Sequence, residues 1–296
     1  MHRASQFSKK FPLRARLTFD PAAANLTAYR RPERIKRRPS ADEHSIGDDN
    51  NIMYEMTAEI PFTRTGPDRK LKLHEAVGMM MDCCQFQEYQ ERSFRDYLQK
   101  NGIAVFLFSI QIDIVRMPEF REVIKTAVKI YGCKSIYGLR RLTMRDENGE
   151  LRLIANATGA FFDLRQGKAL KLDPADFGVA FDPAEPMECL PRKIPIPPCP
   201  GAERPAFAVT PSTLDPNGHL TSAMYFAAAA DALAPEYRFN RVRMEFKRQV
   251  KPGEVVTPVR YDAGDVAVVE LRGADGNSCA AAEFSSVTEE YLASLR

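Results

Sequence analysis

The first clear pattern along the chain is an alternation of apolar and polar residues over Tyr54–Arg64. Apolar side chains at every second position predict a strand with one buried face. A helix is predicted from about Lys72 to Lys100, because Asn101-Gly102 is a common end for a helix. Its segment Ala76–Cys84 is apolar on nearly all sides, so we expect other structure to surround this helix.

Four strands are predicted after this helix, and the same order of elements then returns. The first four strands are Ala104–Val115, Val123–Gly132, Tyr137–Arg145 and Leu151–Leu164. The second series is a strand at Ala206–Pro211, a helix at about Thr221–Leu233, and strands at Arg241–Val250, Val255–Asp262, Val266–Arg272 and Cys279–Thr288. A helix followed by antiparallel strands, used twice, is typical of an internal duplication. We predict an α+β fold in which each sheet covers one helix, and the two sheets pair edge to edge or the two halves pack together.

Matching residues at matching places support the duplication. Asp68 precedes the first helix as Asp215 precedes the second. Glu122-Val123 opens a strand in the first half, as Glu254-Val255 does in the second. The two halves are therefore interpreted as copies of one unit.

A proline-rich segment divides the chain. Residues 182–205 contain eight prolines in 24 positions, which predicts a semi-rigid linker without regular structure. The predicted domains are a basic tail at 1–52, a first unit at 53–181, this linker, and a second unit at 206–290.

Charge separates the tail from the rest of the chain. The net charge of all 296 residues is +3, but residues 1–50 hold eleven Lys or Arg against six Asp or Glu. The tail shows little periodicity, so we predict that it is disordered. Its composition is compatible with an organelle transit peptide, a nucleic-acid-binding arm, a solvated tail, or an artefact of a start codon upstream of Met53. We expect the protein in the cytoplasm, or in an organelle such as the plastid if the tail is a transit peptide.

Composition narrows the class of protein. The chain is 44% hydrophobic and 27% charged, as in a soluble globular protein, and no apolar run reaches the roughly 20 residues of a membrane helix. The six cysteines form no CxxC pair and do not cluster with histidine, so we expect reduced thiols and no metal site.

Candidate chemistry lies just before the second helix. Asp215, Asn217 and His219 occupy alternate positions there, and in an extended segment all three side chains would face one site. The helix start supplies unpaired N–H groups that stabilise negative charge, and histidine transfers protons near neutral pH. This set fits hydrolysis or proton transfer at a carbonyl. The alternative is that these residues only turn the chain and cap the helix.

Further residues extend this motif. Tyr225 lies six residues after the histidine and Asp231 six further, and the strand Met244–Val250 reads Met-Glu-Phe-Lys-Arg-Gln-Val. Together with Asp215–Leu220 they are similar to the pattern of the acyl-ACP thioesterases of bacteria and plant plastids. Arg116-Met117-Pro118 lies where that family has Arg-x-Pro. The resemblance covers roughly residues 53–288.

The resemblance implies two tandem hotdog domains, each a long helix wrapped by a curved antiparallel sheet. It implies hydrolysis of the thioester that joins a fatty acyl chain to acyl carrier protein (ACP), which releases free fatty acid and ends chain elongation. The N-terminal hotdog is then expected to shape the acyl pocket, and the C-terminal one to carry the catalytic residues. No cofactor is implied.

The resemblance also assigns residues. Asp215, Asn217 and His219 become catalytic candidates, and Tyr225 becomes a substrate-binding candidate. Gln249 stands where plant members have a catalytic Glu, so it can position water but cannot act as base or nucleophile. Direct attack by water, with Asp215 or His219 as base, is therefore favoured over a covalent mechanism.

Other assignments concern the acyl pocket and the helix start. Met79, Met80 and Cys83 are candidates for the acyl-binding wall because methionine adapts to flexible chains, with core packing as the alternative. Thr221 and Ser222 replace two Asn of the family and are good helix caps.

Several alternatives remain for substrate and partner. An acyl-CoA thioesterase acts on the same type of thioester, and a non-catalytic acyl-binding regulator is a further possibility. ACP is acidic, so we expect a basic surface near the site. This surface is predicted to contain Arg241, Arg243, Lys247, Arg248 and Lys251. Neither a nucleic-acid nor a membrane partner is expected, and a homodimer is left open.

Overall fold

The computed structural model describes residues 53–90, 92–173 and 181–296. The tail predicted at 1–52 lies outside the described residues. In the first half the elements are β1 Met53–Glu59, α1 Leu73–Gln90, α2 Arg92–Asn101, β2 Ile103–Ile114, β3 Val123–Lys134, β4 Tyr137–Asp146, β5 Leu151–Asp163 and β6 Lys168–Ala169. In the second half they are β7 Ala202–Glu203, β8 Phe207–Ala208, α3 Ser222–Asp231, β9 Arg241–Phe246, β10 Val255–Ala263, β11 Val266–Gly273, β12 Ser278–Ser285 and α4 Glu289–Ser294.

The strands of both halves join into one antiparallel sheet. Its order is β1-β3-β4-β5-β2-β9-β12-β11-β10-β7, with β6 on β5 and β8 on β10. The halves meet where β2 pairs with β9, in a register that places Gln111 opposite Arg243. The predicted edge-to-edge pairing of two sheets is therefore confirmed, and strand order runs outward from this seam in the same sense on both sides.

The two main helices pack against each other on one face of this sheet. Val77 and Met80 of α1 and Phe226 and Ala229 of α3 are fully buried in one core that both halves share. α1 also contacts β1 and β3, which explains why its sequence is apolar on nearly all sides. The alanine-rich α3 allows the close approach that places it in this core.

The long helix predicted in the first half is described on both sides of residue 91, as α1 before it and α2 after it. α2 is amphipathic, and its Phe94 and Leu98 pack in a separate cluster with Ile103, Phe161 and Leu172. α1 and α2 therefore contribute to two different clusters of buried residues.

The loop before each main helix repeats in detail. A short 3-10 helix, Phe62–Arg64 or Pro211–Thr213, precedes a bridge between two residues six positions apart. The bridged pairs are Thr65 with Leu71, and Leu214 with Leu220. Counting from these bridges, Gly66 occupies the place of Asp215, Asp68 that of Asn217, and Lys70 that of His219. The predicted match of Asp68 to Asp215 was therefore wrong. When the two bridges are superimposed, Asp68 falls at the place of Asn217, two residues after Asp215.

The proline-rich segment lies along the seam rather than apart from the sheet. Gln111 of β2 donates to the Glu188 carbonyl at 2.7 Å and accepts from the Leu190 N–H at 3.0 Å. On the other side of the seam, Glu245 of β9 accepts from the Ile194 N–H at 3.0 Å. We call residues 187–194 the strap, because they bind both halves at once.

One part of the proline-rich segment differs from its prediction. Ala202 and Glu203 form β7 and pair with β10, where no regular structure was expected. Both residues lie between Pro200 and Pro205 and retain their N–H groups, so a short pairing is possible there.

A buried ion pair closes the seam under the strap. Asp113 of β2 is fully buried and accepts from Arg241 of β9 at 2.6 and 2.8 Å. Tyr291 of α4 donates to the same carboxylate at 2.7 Å, and Glu188 of the strap binds Arg241 at 2.7 Å. Burial, together with the hydrogen bond to Asp113, raises the pKa of the Tyr291 hydroxyl to about 12. The seam thus combines groups from both halves, the strap and the C-terminal helix.

This pair corrects part of the expected basic surface. Arg241 binds Asp113, and Arg243 binds Glu283 of β12 at 2.6 Å, so both guanidinium groups are buried and neutralised. Arg241 and Arg243 alternate with apolar residues along β9, and the strap covers the outer face of this strand.

Two further properties bear on the predicted class of protein. Within the described ranges, no helix is long and apolar enough to cross a membrane. All six cysteines lie within those ranges, and each is a free thiol.

Candidate active site

The segment that carries Asp215 and His219 is a tight turn, not the extended chain that we predicted. Asp215 donates its N–H to the His219 carbonyl at 2.7 Å, and the Gly218 N–H donates to the Asp215 carbonyl at 2.9 Å. Gly218 has a φ of 76°, a value that glycine adopts without strain. Pro216 and Gly218 favour this turn, so the rule of alternating side chains does not apply here.

The Asp215 carboxylate holds the turn together. Its Oδ1 accepts from the backbone N–H of Asn217 at 2.9 Å and of His219 at 3.0 Å. These two bonds fix the orientation of the carboxylate. In the part of the chain that the structure describes, its other oxygen, Oδ2, has no hydrogen-bond partner and is free to accept a proton.

His219 and Gln249 come together across the site. The Gln249 Nε2 lies 3.5 Å from the His219 Nδ1, although 30 residues separate them in sequence. An amide nitrogen is a donor only, so a hydrogen bond at this contact requires the tautomer that carries its ring proton on Nε2. The ring is half-buried and the Gln249 side chain is exposed. In that tautomer the imidazole presents an N–H donor away from Gln249.

The start of α3 has free N–H groups. Thr221 occupies the N-cap position, but its side chain accepts no hydrogen bond from the helix, contrary to the capping that we expected. The Met224 N–H donates to the Thr221 carbonyl at 3.0 Å, whereas the N–H groups of Ser222 and Ala223 have no partner among the described residues and are available to a developing negative charge. Asn217 is exposed at the corner of the turn, where its amide makes no hydrogen bond to another described residue.

Tyr225 connects α3 to the segment after β9. Its hydroxyl accepts from the Val250 N–H at 3.3 Å, and its ring makes an edge contact with Phe246 at 5.2 Å between centroids. Burial raises the pKa of this hydroxyl above the ordinary value of tyrosine, so it stays protonated. The Tyr225 hydroxyl thus binds the backbone of Val250, the residue that follows Gln249.

The residues predicted for the acyl wall lie in the shared core. Met79, Met80 and Cys83 are almost completely buried on α1, in the same cluster as Tyr225. The Cys83 thiol donates to the Thr126 carbonyl at 3.4 Å, and burial raises its pKa to about 12. Cys83 is therefore a neutral apolar group and not a nucleophile.

Sequence reasoning missed one contact at this site. It treated Arg248 as surface charge, whereas the guanidinium donates to the Gln249 carbonyl at 3.0 Å and to Glu254 at 2.9 Å. The spacing of Arg248 and Glu254 was a usable signal, because Arg116 and Glu122 repeat it in the first half.

Comparisons with known proteins agree with the architecture and with the family resemblance of the first half. Residues 51–172 match the family model of the acyl-ACP thioesterase N-terminal domain. An acyl-ACP thioesterase from Bacteroides thetaiotaomicron is 15% identical, with a TM-score of 0.68 over 79% of this chain and 97% of that one. The 12:0-ACP thioesterase from Umbellularia californica is 13% identical, with a TM-score of 0.69 over 79% of this chain and 96% of that one.

Among curated protein sequences, none matches the chain. The family resemblance and the fold inferred from the sequence are nevertheless confirmed by the family model and the solved structures. Residues 51–172 thus match the acyl-ACP thioesterase N-terminal domain, within a chain that shares the tandem hotdog fold of the solved acyl-ACP thioesterases.

Proposed function

We propose that this chain hydrolyses the thioester of fatty acyl-ACP and releases the free fatty acid. The family match of the first half supports this class of reaction. The observation that carries the proposal is the turn before α3, which holds a carboxylate with a free oxygen beside an imidazole whose Nδ1 is engaged by Gln249. One group is suited to accept a proton, and the other to donate a hydrogen bond to a developing negative charge.

The proposed reaction begins with a water molecule at the Asp215 Oδ2. As the water oxygen bonds to the thioester carbon, its proton moves to Asp215. The resulting oxyanion is stabilised by the free N–H groups of α3 and by the Asn217 amide. The carbon–sulfur bond then breaks, the His219 Nε2–H donates a hydrogen bond that stabilises the departing thiolate, and the proton taken up by Asp215 passes to the thiolate through solvent.

Direct attack by water is also favoured because neither Gln249 nor Cys279 can act as the nucleophile. Gln249 cannot form an acyl intermediate. Cys279 of β12 is buried, and burial raises its pKa to about 11, so its thiol is protonated near neutral pH. Neither side chain supplies the charge that covalent catalysis requires.

The first half is proposed to bind the acyl chain without taking part in catalysis. At the places of Asp215 and His219 it has Gly66 and Lys70, which form no carboxylate–imidazole pair. We assign Met79, Met80 and Cys83 to the acyl wall, because they lie on the helix that packs against α3. The homodimer and the cytoplasmic location stay predictions.

The identity of the carrier is tested with matched substrates. We expect a higher kcat/KM for acyl-ACP than for acyl-CoA with the same acyl chain, because the first half matches the acyl-ACP family. Release of free thiol is measured for short, medium and long saturated chains on both carriers. Faster hydrolysis of every acyl-CoA would favour the acyl-CoA thioesterase alternative. No hydrolysis of any substrate would contradict the proposed function and favour a binding role.

His219→Ala is expected to lower kcat by about 100-fold. The loss is that of one hydrogen-bond donor to the charge that develops on the leaving sulfur. KM should change little, since the proposed role of the ring is to stabilise the departing thiolate. Thiol release under single-turnover conditions measures the chemical step. Full activity in this variant would remove His219 from the mechanism.

A further inference from the structure

The position of Gln249 depends on a segment that is irregular in structure. β9 ends at Phe246, and Gln249 lies three residues later with an exposed side chain. The chain leaves the strand with the N–H groups of Lys247 and Arg248 both directed to the Cys279 carbonyl, at 2.8 and 3.1 Å. Beyond this point no strand pairing fixes the backbone, so other contacts must place the Gln249 amide at His219.

Arg248 supplies one of these contacts. Its Nη1 donates to the Gln249 carbonyl at 3.0 Å and to the Glu254 carboxylate at 2.9 Å. Its Nη2 lies 3.5 Å from the Asp275 carboxylate. The guanidinium is thus held by acids from two other segments, and it fixes the peptide group of Gln249 relative to both.

Gly273 leaves the space that this guanidinium occupies. A Cβ added to Gly273 would lie 2.0 Å from the Arg248 Nη2 and 3.3 Å from its Cζ. The atom that it would meet first is the end of a flexible side chain, so a small substitution displaces the guanidinium more readily than the backbone.

Tyr225 holds the other end of the same peptide group. The Val250 N–H donates to its hydroxyl at 3.3 Å. Gln249 is therefore fixed at its carbonyl by Arg248, and at the following N–H by the helix that begins beside His219. These two contacts tie the segment to both sides of the candidate site.

The first half contains the same ion pair without the site. Arg116 binds Glu122 at 2.7 Å with the spacing that Arg248 has to Glu254. The residue after Arg116 is Met117, which has no polar group to place. The ion pair is therefore a structural element of each half. Among the described residues, only the arginine of the second half also binds a residue whose side-chain amide contacts a histidine.

We propose that Arg248 is a positioning residue that holds the Gln249 amide on the His219 ring. This inference rests on the proposed function for its effect on rate, but not for its effect on the ring. Without the guanidinium, the peptide group is held only at its N–H end by Tyr225, so the Gln249 carbonyl shifts and the side-chain amide leaves Nδ1. The imidazole proton then distributes over both ring nitrogens.

The experiment compares Arg248→Gln with the matched control Arg116→Gln. Both variants lose an ion pair of the same spacing, so a purely structural role predicts equal effects. We expect kcat for acyl-ACP hydrolysis to fall roughly 10- to 100-fold for Arg248→Gln, with KM nearly unchanged, and to stay within about twofold for Arg116→Gln. Equal losses in kcat would overturn the proposal.

A double-mutant cycle with Gln249→Ala tests the coupling. Once the amide is absent, Arg248→Gln should cause no further loss in kcat. An undiminished loss in the Gln249→Ala background would show that Arg248 acts elsewhere and would overturn the proposal. Gly273→Ala, which displaces the guanidinium but retains the arginine, should reproduce the loss of Arg248→Gln and keeps the test valid if that variant does not fold.

A readout without substrate separates this inference from the proposed function. Nitrogen-15 NMR of the imidazoles reports which nitrogen carries the proton, and loss of the signal in His219→Ala assigns it among the four histidines. The Nε2–H form should predominate in the wild type and in Arg116→Gln, and should decrease in Arg248→Gln. An unchanged tautomer in Arg248→Gln would overturn the positioning role even if the wild type hydrolyses no thioester. A change in the ring with no hydrolysis by the wild type would sustain it and contradict the proposed function.

Discussion

Asp215→Asn is expected to lower kcat for thioester hydrolysis by about 1000-fold, while the turn from Asp215 to His219 keeps its shape. Asparagine retains the Oδ1 that accepts from the N–H groups of Asn217 and His219. It replaces the free carboxylate oxygen with an NH₂ group, which cannot accept a proton from water. The substitution therefore removes the proposed base and leaves the hydrogen bonds that hold the turn.

The measurement is single-turnover hydrolysis of acyl-ACP together with the thermal midpoint. Asp68→Asn is the matched control, because Asp68 accepts from the Lys70 N–H in the corresponding turn of the first half. This control should retain wild-type kcat. Asp215→Ala should lose both activity and the order of the turn. If Asp215→Asn kept a tenth or more of the activity, the carboxylate would serve the turn alone, and another group would have to be the base.

Asp113→Asn is expected to destabilise the protein by about 3–5 kcal/mol. The Asp113 carboxylate is fully buried and receives two hydrogen bonds from Arg241 and one from Tyr291. Removal of its charge leaves the Arg241 guanidinium buried with only the exposed Glu188 as acid partner. The cost of an uncompensated buried charge exceeds the small net gain from the original pair.

Denaturant unfolding at neutral pH measures this loss as a lower midpoint. Glu188→Gln is the control, because the Glu188 carboxylate is 54% exposed and its ion pair is screened by solvent, so its loss should have a small effect. Joint replacement of Asp113 by Leu and Arg241 by Met should be much less harmful than Asp113→Asn. An Asp113→Asn protein with the wild-type midpoint would show that the seam does not depend on this charge pair.

Regular elements were predicted well because their patterns are local. The strands from β2 to β5 and the positions of α1 and α3 follow from apolar periodicity in short windows of sequence. The composition of Asp215–His219 predicted a candidate site there, but the extended shape that we predicted for this segment was wrong. Asp215 bonds to its own backbone two and four residues on, and this side-chain contact replaces the extended geometry that alternation assumed.

The buried ion pair at the seam was beyond prediction because its two groups are distant in sequence. Asp113 and Arg241 are 128 residues apart, and nothing near either one indicates the other. Arg241 and Arg243 have the alternation of a half-exposed strand, so they were interpreted as a basic surface for ACP. Their burial results from the strap, whose polar backbone bonds across both halves have no periodic signature.

The continuous sheet through β2 and β9 has a consequence for how such a site can change. In a dimer of identical subunits, each mutation occurs twice, so a residue that favours catalysis at one end of the assembly is imposed on the other. Here the two copies are encoded separately, and each position of the turn is free to differ. His219 and Gln249 in one copy, and Lys70 and Met117 in the other, show this freedom. Covalent linkage thus lets selection adjust the proposed acyl binding and the proposed hydrolysis separately, on opposite sides of one seam.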